Sequence, residues 1–93
     1  MNLLKIRERG SGTLKEVIKY LLEMLVDFPD KLKISTIQLD NVTVLRIAAD
    51  PADIGKIIGK QGRVIKAIRT IVNAATIKEK NKTVIEIIED KEE

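Results

Sequence analysis

Gly59 and Gly62 stand three residues apart around Lys60 and Gln61, and Lys56, Arg63, Lys66 and Arg69 crowd the same stretch. Glycines at this spacing let the backbone turn sharply and let a sugar-phosphate chain approach without meeting a Cβ. If a helix starts behind the second glycine, its first N–H groups and its positive dipole end face whatever lies against the loop, and a phosphate fits there. Lys60, Arg63 and Lys66 would surround that phosphate with mobile charge, while Gln61 adds hydrogen-bonding capacity without charge. The chemistry on offer is anion binding rather than bond breaking.

The charge distribution supports this. From Gly55 to Lys82 eight cations (Lys56, Lys60, Arg63, Lys66, Arg69, Lys78, Lys80, Lys82) face the single anion Glu79, although the net charge of the 93-residue chain is only +3. The balancing acids gather at the C-terminus, at Glu86, Glu89, Asp90, Glu92 and Glu93. The chain has no His and no Cys. His-based acid/base catalysis, cysteine nucleophiles, zinc fingers and disulfide frameworks are therefore excluded together, and no cofactor is implied. A Walker A loop needs four residues between its glycines and then Gly-Lys-Ser/Thr; Gly55-Lys56-Ile57-Ile58-Gly59-Lys60-Gln61 has three and ends in Gln. A dinucleotide fingerprint fails as well, because its first glycine pair is missing. Asp50 with Asp53, or Glu86 with Glu89 and Asp90, could suggest hydrolysis. The first pair already has work at a helix N-terminus, and the second lies on a strand end and tail, so no enzyme is expected.

The elements that must position the loop are legible from pattern. Thr13 precedes Glu16 at capping-box spacing, and Leu14, Val17, Ile18, Leu21, Leu25 and Phe28 recur at helical spacing, predicting a first helix over about Leu14–Phe28. Pro29-Asp30 stops it. Two segments rich in β-branched residues follow, Lys33–Leu39 and Val42–Ala48, joined by an Asp40-Asn41 hairpin turn. Asp50 can cap and Pro51 suits the first helical position, so a short helix runs to about Ile58 and breaks at Gly59-Lys60-Gln61-Gly62. Val64, Ile65, Ile68, Ile71, Val72 and Ala75 mark a longer amphipathic helix with Arg63, Lys66, Arg69, Thr70 and Asn73 on its other face. A polar loop over Lys78–Lys82 then leads to a final strand, Thr83–Ile88. The order is α-β-β-α-α-β.

At these residues the chain resembles the KH domain, whose hallmark is a GxxG loop between two helices. The element order is similar to the type II topology, in which the extra helix and strand come first. The run Ala52–Arg63 with Ala67-Ile68-Arg69-Thr70 resembles the small single-KH RNA-binding proteins of bacteria. The resemblance implies an α+β domain, a three-stranded sheet with helices packed on one face. It also implies that about four nucleotides of single-stranded RNA lie between the loop and the sheet, bases resting on an aliphatic groove. Gly59, Lys60, Gln61, Gly62, Arg63, Lys66 and Lys56 are then the backbone-contacting candidates, and Ile54, Ile57, Ile58 and residues of Val42–Ile47 the groove candidates. It further implies an RNA chaperone or post-transcriptional regulator tied to cell elongation and division. Such proteins form homodimers, or heterodimers with a larger KH protein bearing a Jag-type N-terminal domain.

Each feature has a plainer reading. A GxxG turn serves elsewhere as a simple helix break, and Arg69 and Lys78–Lys82 suit a solvated face. Ile54, Ile57 and Ile65 are core residues first, and only an exposed edge of the first two could meet a base. Tyr20 and Phe28, the only aromatics, both fall on the first helix, so no aromatic stacking platform is expected. That helix carries Tyr20, Leu22, Met24 and Val26 besides its core stripe, an apolar arc wider than one sheet contact needs; an assembly module is the alternative reading. Residues 1–12 form a basic arm ending in the link Gly10-Ser11-Gly12, either native or an added remnant; residues 13–89 form the domain, and 90–93 an acidic tail. Met1–Gly10 lacks the apolar core of a signal peptide and no run is long enough to span a bilayer, so the expectation is a cytoplasmic protein without a membrane partner.

Overall fold

The computed structural model describes the backbone of residues 10–78 and 82–90, with side chains from Leu14 onward. Its order is α1 (Gly10–Glu23), β1 (Lys33–Gln38), β2 (Val42–Ala49), α2 (Pro51–Ile58), α3 (Arg63–Thr76) and β3 (Lys82–Glu89), with single 3-10 turns at Pro29–Lys31 and Lys60–Gly62. This is the expected α-β-β-α-α-β succession.

The sheet runs β1-β2-β3. β1 and β2 pair antiparallel through a two-residue turn: the Leu39 N–H donates to the Val42 carbonyl at 2.8 Å, leaving Asp40-Asn41 at the tip. β3 pairs parallel to β2, a geometry that requires a crossover, and α2 with α3 supply it. Alternation along each strand then sorts the faces. Ile34 opposite Ile47, and Leu45 and Ile47 opposite Ile85 and Ile87, point toward the helices. With Ile18 and Leu22 of α1, Ile57 of α2 and Ile68 and Val72 of α3 they form one core, so all three helices cover the same face. On the opposite face Val44 lies beside Val84, and Arg46 Nε donates to Glu86 Oε1 at 2.6 Å across the parallel pair. That exposed ion pair contributes on the order of 0.5 kcal/mol.

The first helix departs from expectation at both ends. Met1–Arg9 of the predicted arm lie outside the described residues, but Gly10-Ser11-Gly12 are helical rather than a link, and Thr13 lies within the helix instead of capping it. Each glycine costs about 1 kcal/mol there, which a helix with a packed face tolerates. At the other end the α-helix stops at Glu23. The Met24 and Leu25 N–H groups donate to carbonyls three residues back, Leu21 and Leu22, and this tighter winding rotates the residues beyond it. Val26 therefore turns into the core, and Leu25 and Phe28, expected on the buried stripe, face solvent. Leu22, expected on the outer arc, is only 1% exposed, while Val17, expected inside, is exposed. The apolar arc is wide enough that either half could dock; contact with β1 selects the Ile18–Leu22–Val26 line.

At the C-terminal end, the Asp90 N–H donates to the Ala49 carbonyl at 2.7 Å and its carboxylate lies 3.7 Å from Lys33 Nζ. Asp90 thus extends the sheet's bonding rather than beginning a tail; 91–93 lie outside the described residues.

Candidate functional site

The loop is assembled from α2 outward. Asp50 accepts a hydrogen bond from the Ala52 N–H at 2.8 Å and Pro51 opens the helix, as their types dictate. Asp53, two residues on, does more than complement a helix dipole. Its carboxylate is fully buried and accepts from the backbone N–H groups of Asp27 and Phe28, each at 2.9 Å, so it ties the start of α2 to the turn after α1. Lys56 joins this cluster. Its ammonium pairs with Asp27 and lies 3.8 Å from Asp53 Oδ1. Its pKa is raised above the ordinary lysine value, chiefly by the hydrogen bond to Asp27, against some desolvation. A raised lysine pKa contributes stability at pH below its ordinary value, lost only as pH climbs through the raised one; the pair is intact across the neutral range. Lys56, a candidate phosphate contact, is therefore engaged in holding α2 to the α1 turn.

α2 ends at Gly59, whose N–H closes on the Gly55 carbonyl at 2.8 Å. Gly59 has φ +81° and ψ 168°, Gln61 φ +56°, and Gly62 φ +74°. Three of the four loop residues thus have positive φ, which reverses the chain in one turn. Gly59 is also the point of closest approach: a Cβ there would stand 2.5 Å from Val64 Cγ2 and 2.7 Å from the Val64 backbone nitrogen. Gly62 has open space, its nearest neighbour being Ile65 Cγ2 at 3.9 Å. The Gly62 N–H donates to the Gly59 carbonyl and the Arg63 N–H to the Lys60 carbonyl. These two donors, expected to point at a ligand, are used inside the turn.

Lys60, Gln61, Arg63 and Lys66 are all accessible around this turn, Gln61 Oε1 accepting a long bond of 3.4 Å from Arg63 Nη2. Lys66 and Asn73 are seven residues apart and share one line of α3, with Arg63 and Thr70 on one side and Arg69 on the other. α3 carries no acid. The cationic side of the loop therefore continues along the helix.

The expected aliphatic groove is corrected in three places. Ile57 is 0% exposed and belongs to the core, so it has no edge to offer a base. Leu45 and Ile47 are buried likewise. Val42, Val44 and Arg46 alternate with them on the face turned away from α2 and the loop, because β2 is the central strand and its helix-facing row is already covered. Of the α2 candidates Ile58, at 38% exposure, and the half-buried Ile54 stay accessible beside the loop. A concavity that sequence reasoning missed lies instead between α3 and β3: about 320 Å³, lined by Arg69, Asn73, Lys82, Thr83, Val84 and Ile85. Its residues come from two elements, and only their docking brings them together. Among the described residues no cluster of acids could hold a metal ion, and no helix is long and apolar enough to cross a membrane.

The profile of the family described as KhpA/KhpB, KH domain, matches residues 15–87. A protein of Clostridium perfringens named RNA-binding protein KhpA is 44% identical over 75 residues, which cover 81% of this chain and all of the relative. A protein of the same name from Clostridium acetobutylicum is 41% identical over 75 residues with the same coverage. Another from Aquifex aeolicus is 40% identical over 78 residues, 84% of this chain and 99% of the relative.

Proposed function

The chain belongs to the KhpA/KhpB KH-domain family, and from that premise we propose that it binds single-stranded RNA through the Gly59–Gly62 loop. The observation that carries this reading is the loop itself: a reversal built on positive-φ backbone, flanked by accessible Lys60, Arg63 and Lys66, on a helix without acids. The names of the relatives point to the same ligand class. Lys60, Gln61, Arg63 and Lys66 contact the sugar-phosphate chain, Gly59 and Gly62 shape the turn, and Ile58 with the exposed part of Ile54 supports a base. The chaperone or post-transcriptional role, and the link to cell elongation and division, rest on the family resemblance.

One domain engages few nucleotides, so affinity is expected at about micromolar or weaker, with log K falling against log salt with a slope of about −2 to −3 for roughly three to four neutralised phosphates. Replacing Lys60→Asp together with Gln61→Asp places two anions at the phosphate position while sparing both glycines and the core. Titration of a fluorescent oligoribonucleotide is expected to show roughly a tenfold loss or more with an unchanged circular dichroism spectrum. Unaltered affinity removes the loop from the mechanism.

A second reading, assembly as a homodimer or as a heterodimer with a larger KH protein, is favoured by the exposed apolar row on α1 and the turn after it: Val17, Tyr20, Met24, Leu25 and Phe28, with Tyr20 66% and Met24 64% exposed. α3 offers the smaller competitor Ile71 and the nearby Ile77. Pairing two domains would raise RNA affinity through effective concentration. Light scattering over a concentration series is expected to show a dimer that Tyr20→Glu with Met24→Glu dissolves if α1 is the surface, or Ile71→Glu if α3 is. A monomeric mass at high micromolar protein sinks the self-association. Leu22→Glu is unsuitable as a probe, since Leu22 is a core residue.

A further inference from the structure

We infer that the concavity between α3 and β3 is a second, distal nucleotide subsite, which lengthens the RNA footprint beyond the strand held at the loop. It rests on the RNA-binding reading of that loop. Arg69 and Asn73 stand seven and eleven residues beyond Gly62, roughly 10 to 16 Å along the helix axis. They are thus outside the reach of a phosphate seated at the loop, yet on the same cationic side as Arg63 and Lys66. The polar track is continuous.

The concavity's composition suits a nucleotide. At about 320 Å³ it falls at the lower end of small-ligand sites, and none of its six lining residues is acidic. Arg69 and Lys82 supply two cations for a phosphate, one from the helix and one from the strand. Asn73 presents both a donor and an acceptor, the pattern that pairs with a base edge, and the Thr83 hydroxyl adds either. Val84 and Ile85 give an aliphatic floor on which a base can rest. Among the described residues, none of the Arg69, Asn73, Lys82 and Thr83 side chains has a hydrogen-bond or ion-pair partner, so none must be displaced to receive a ligand. An exposed arginine and lysine beside an acid-free groove favour an anionic polymer over a peptide.

The test compares single-stranded RNAs of about four and about eight nucleotides against the wild-type protein and the variant Arg69→Gln with Lys82→Gln, both residues exposed and outside the core. The longer strand is expected to bind wild type roughly tenfold tighter or more, with a salt slope steeper by about 1.4 for two more phosphates. In the variant the short strand keeps its affinity, whereas the longer strand loses about fivefold or more, together with the extra slope. In wild type, the Asn73 side-chain amide resonances shift on adding the longer strand and not the shorter.

Equal losses for both lengths, or no loss for either, overturn the distal subsite while leaving the loop reading intact. Groove variants that change self-association or peptide binding but not RNA binding assign the concavity to a protein contact and overturn it as well. Absence of binding at either length, or insensitivity of both to Lys60→Asp with Gln61→Asp, overturns the loop reading and the subsite with it.

Discussion

Asp53→Ala is expected to cost about 3 kcal/mol of folding stability, lowering the thermal midpoint by on the order of 15 °C for a domain of this size. The carboxylate is fully buried and accepts from two backbone N–H groups, those of Asp27 and Phe28. Alanine leaves both donors facing a cavity, and buried donors without partners account for about 1–3 kcal/mol each. It also strips Lys56 of one of its two carboxylates. Asp53→Asn separates these contributions. It keeps the shape and one acceptor but turns an amide N–H toward a backbone N–H, so a smaller loss of about 2 kcal/mol is expected. Urea unfolding monitored by circular dichroism reads both; a loss below about 1 kcal/mol for alanine would mean that the turn after α1 does not depend on this carboxylate. RNA affinity should fall in the alanine variant as well, because the tie holds the helix that ends at the loop.

The two loop glycines are expected to respond unequally to alanine. At Gly59 the new Cβ would meet the Val64 backbone nitrogen at 2.7 Å as well as its side chain, so no rotamer change relieves the clash. The φ +81°, ψ 168° backbone is also all but reserved for glycine. Gly59→Ala should therefore cost about 3–4 kcal/mol or release α3 from α2. At Gly62 there is room for a methyl group, and only left-handed strain opposes it, about 1 kcal/mol. Equal shifts in the urea midpoints of the two variants would refute the assignment of Gly59 as the close-approach residue. The stable Gly62→Ala protein is then the better vehicle for asking how much the loop's bare backbone matters to RNA.

Much of the domain was readable from neighbours a few residues apart. Asp50 and Pro51 announce a helix start because a cap and a preset φ act within one turn. Asp40-Asn41 announces a hairpin, and Gly59 with Gly62 a reversal between helices, for equally local reasons. Clustered cations named the class of ligand, since the type and number of charges do not depend on how the chain folds. Those readings located the loop and the order of elements.

Docking decided the rest. Which half of the wide apolar arc on α1 faces inward depends on its contact with β1 and on the tightened turn at Met24 and Leu25, and so Leu22 and Leu25 exchanged their expected places. Asp53 reaches donors 25 and 26 residues away, and Lys56 an acid 29 residues away, separations at which no periodicity carries a signal. Ile57 lost its groove role because its helix sits directly on the sheet, and β2 lost its own because a central strand has one covered face and one that points away. The concavity of Arg69, Asn73 and Lys82–Ile85 exists only where α3 returns along β3. Residue types and short spacings determine local conformation and charge, because those energies arise within a turn or two of chain; the lining of a groove is set by which faces pack, and that is a property of the assembled core.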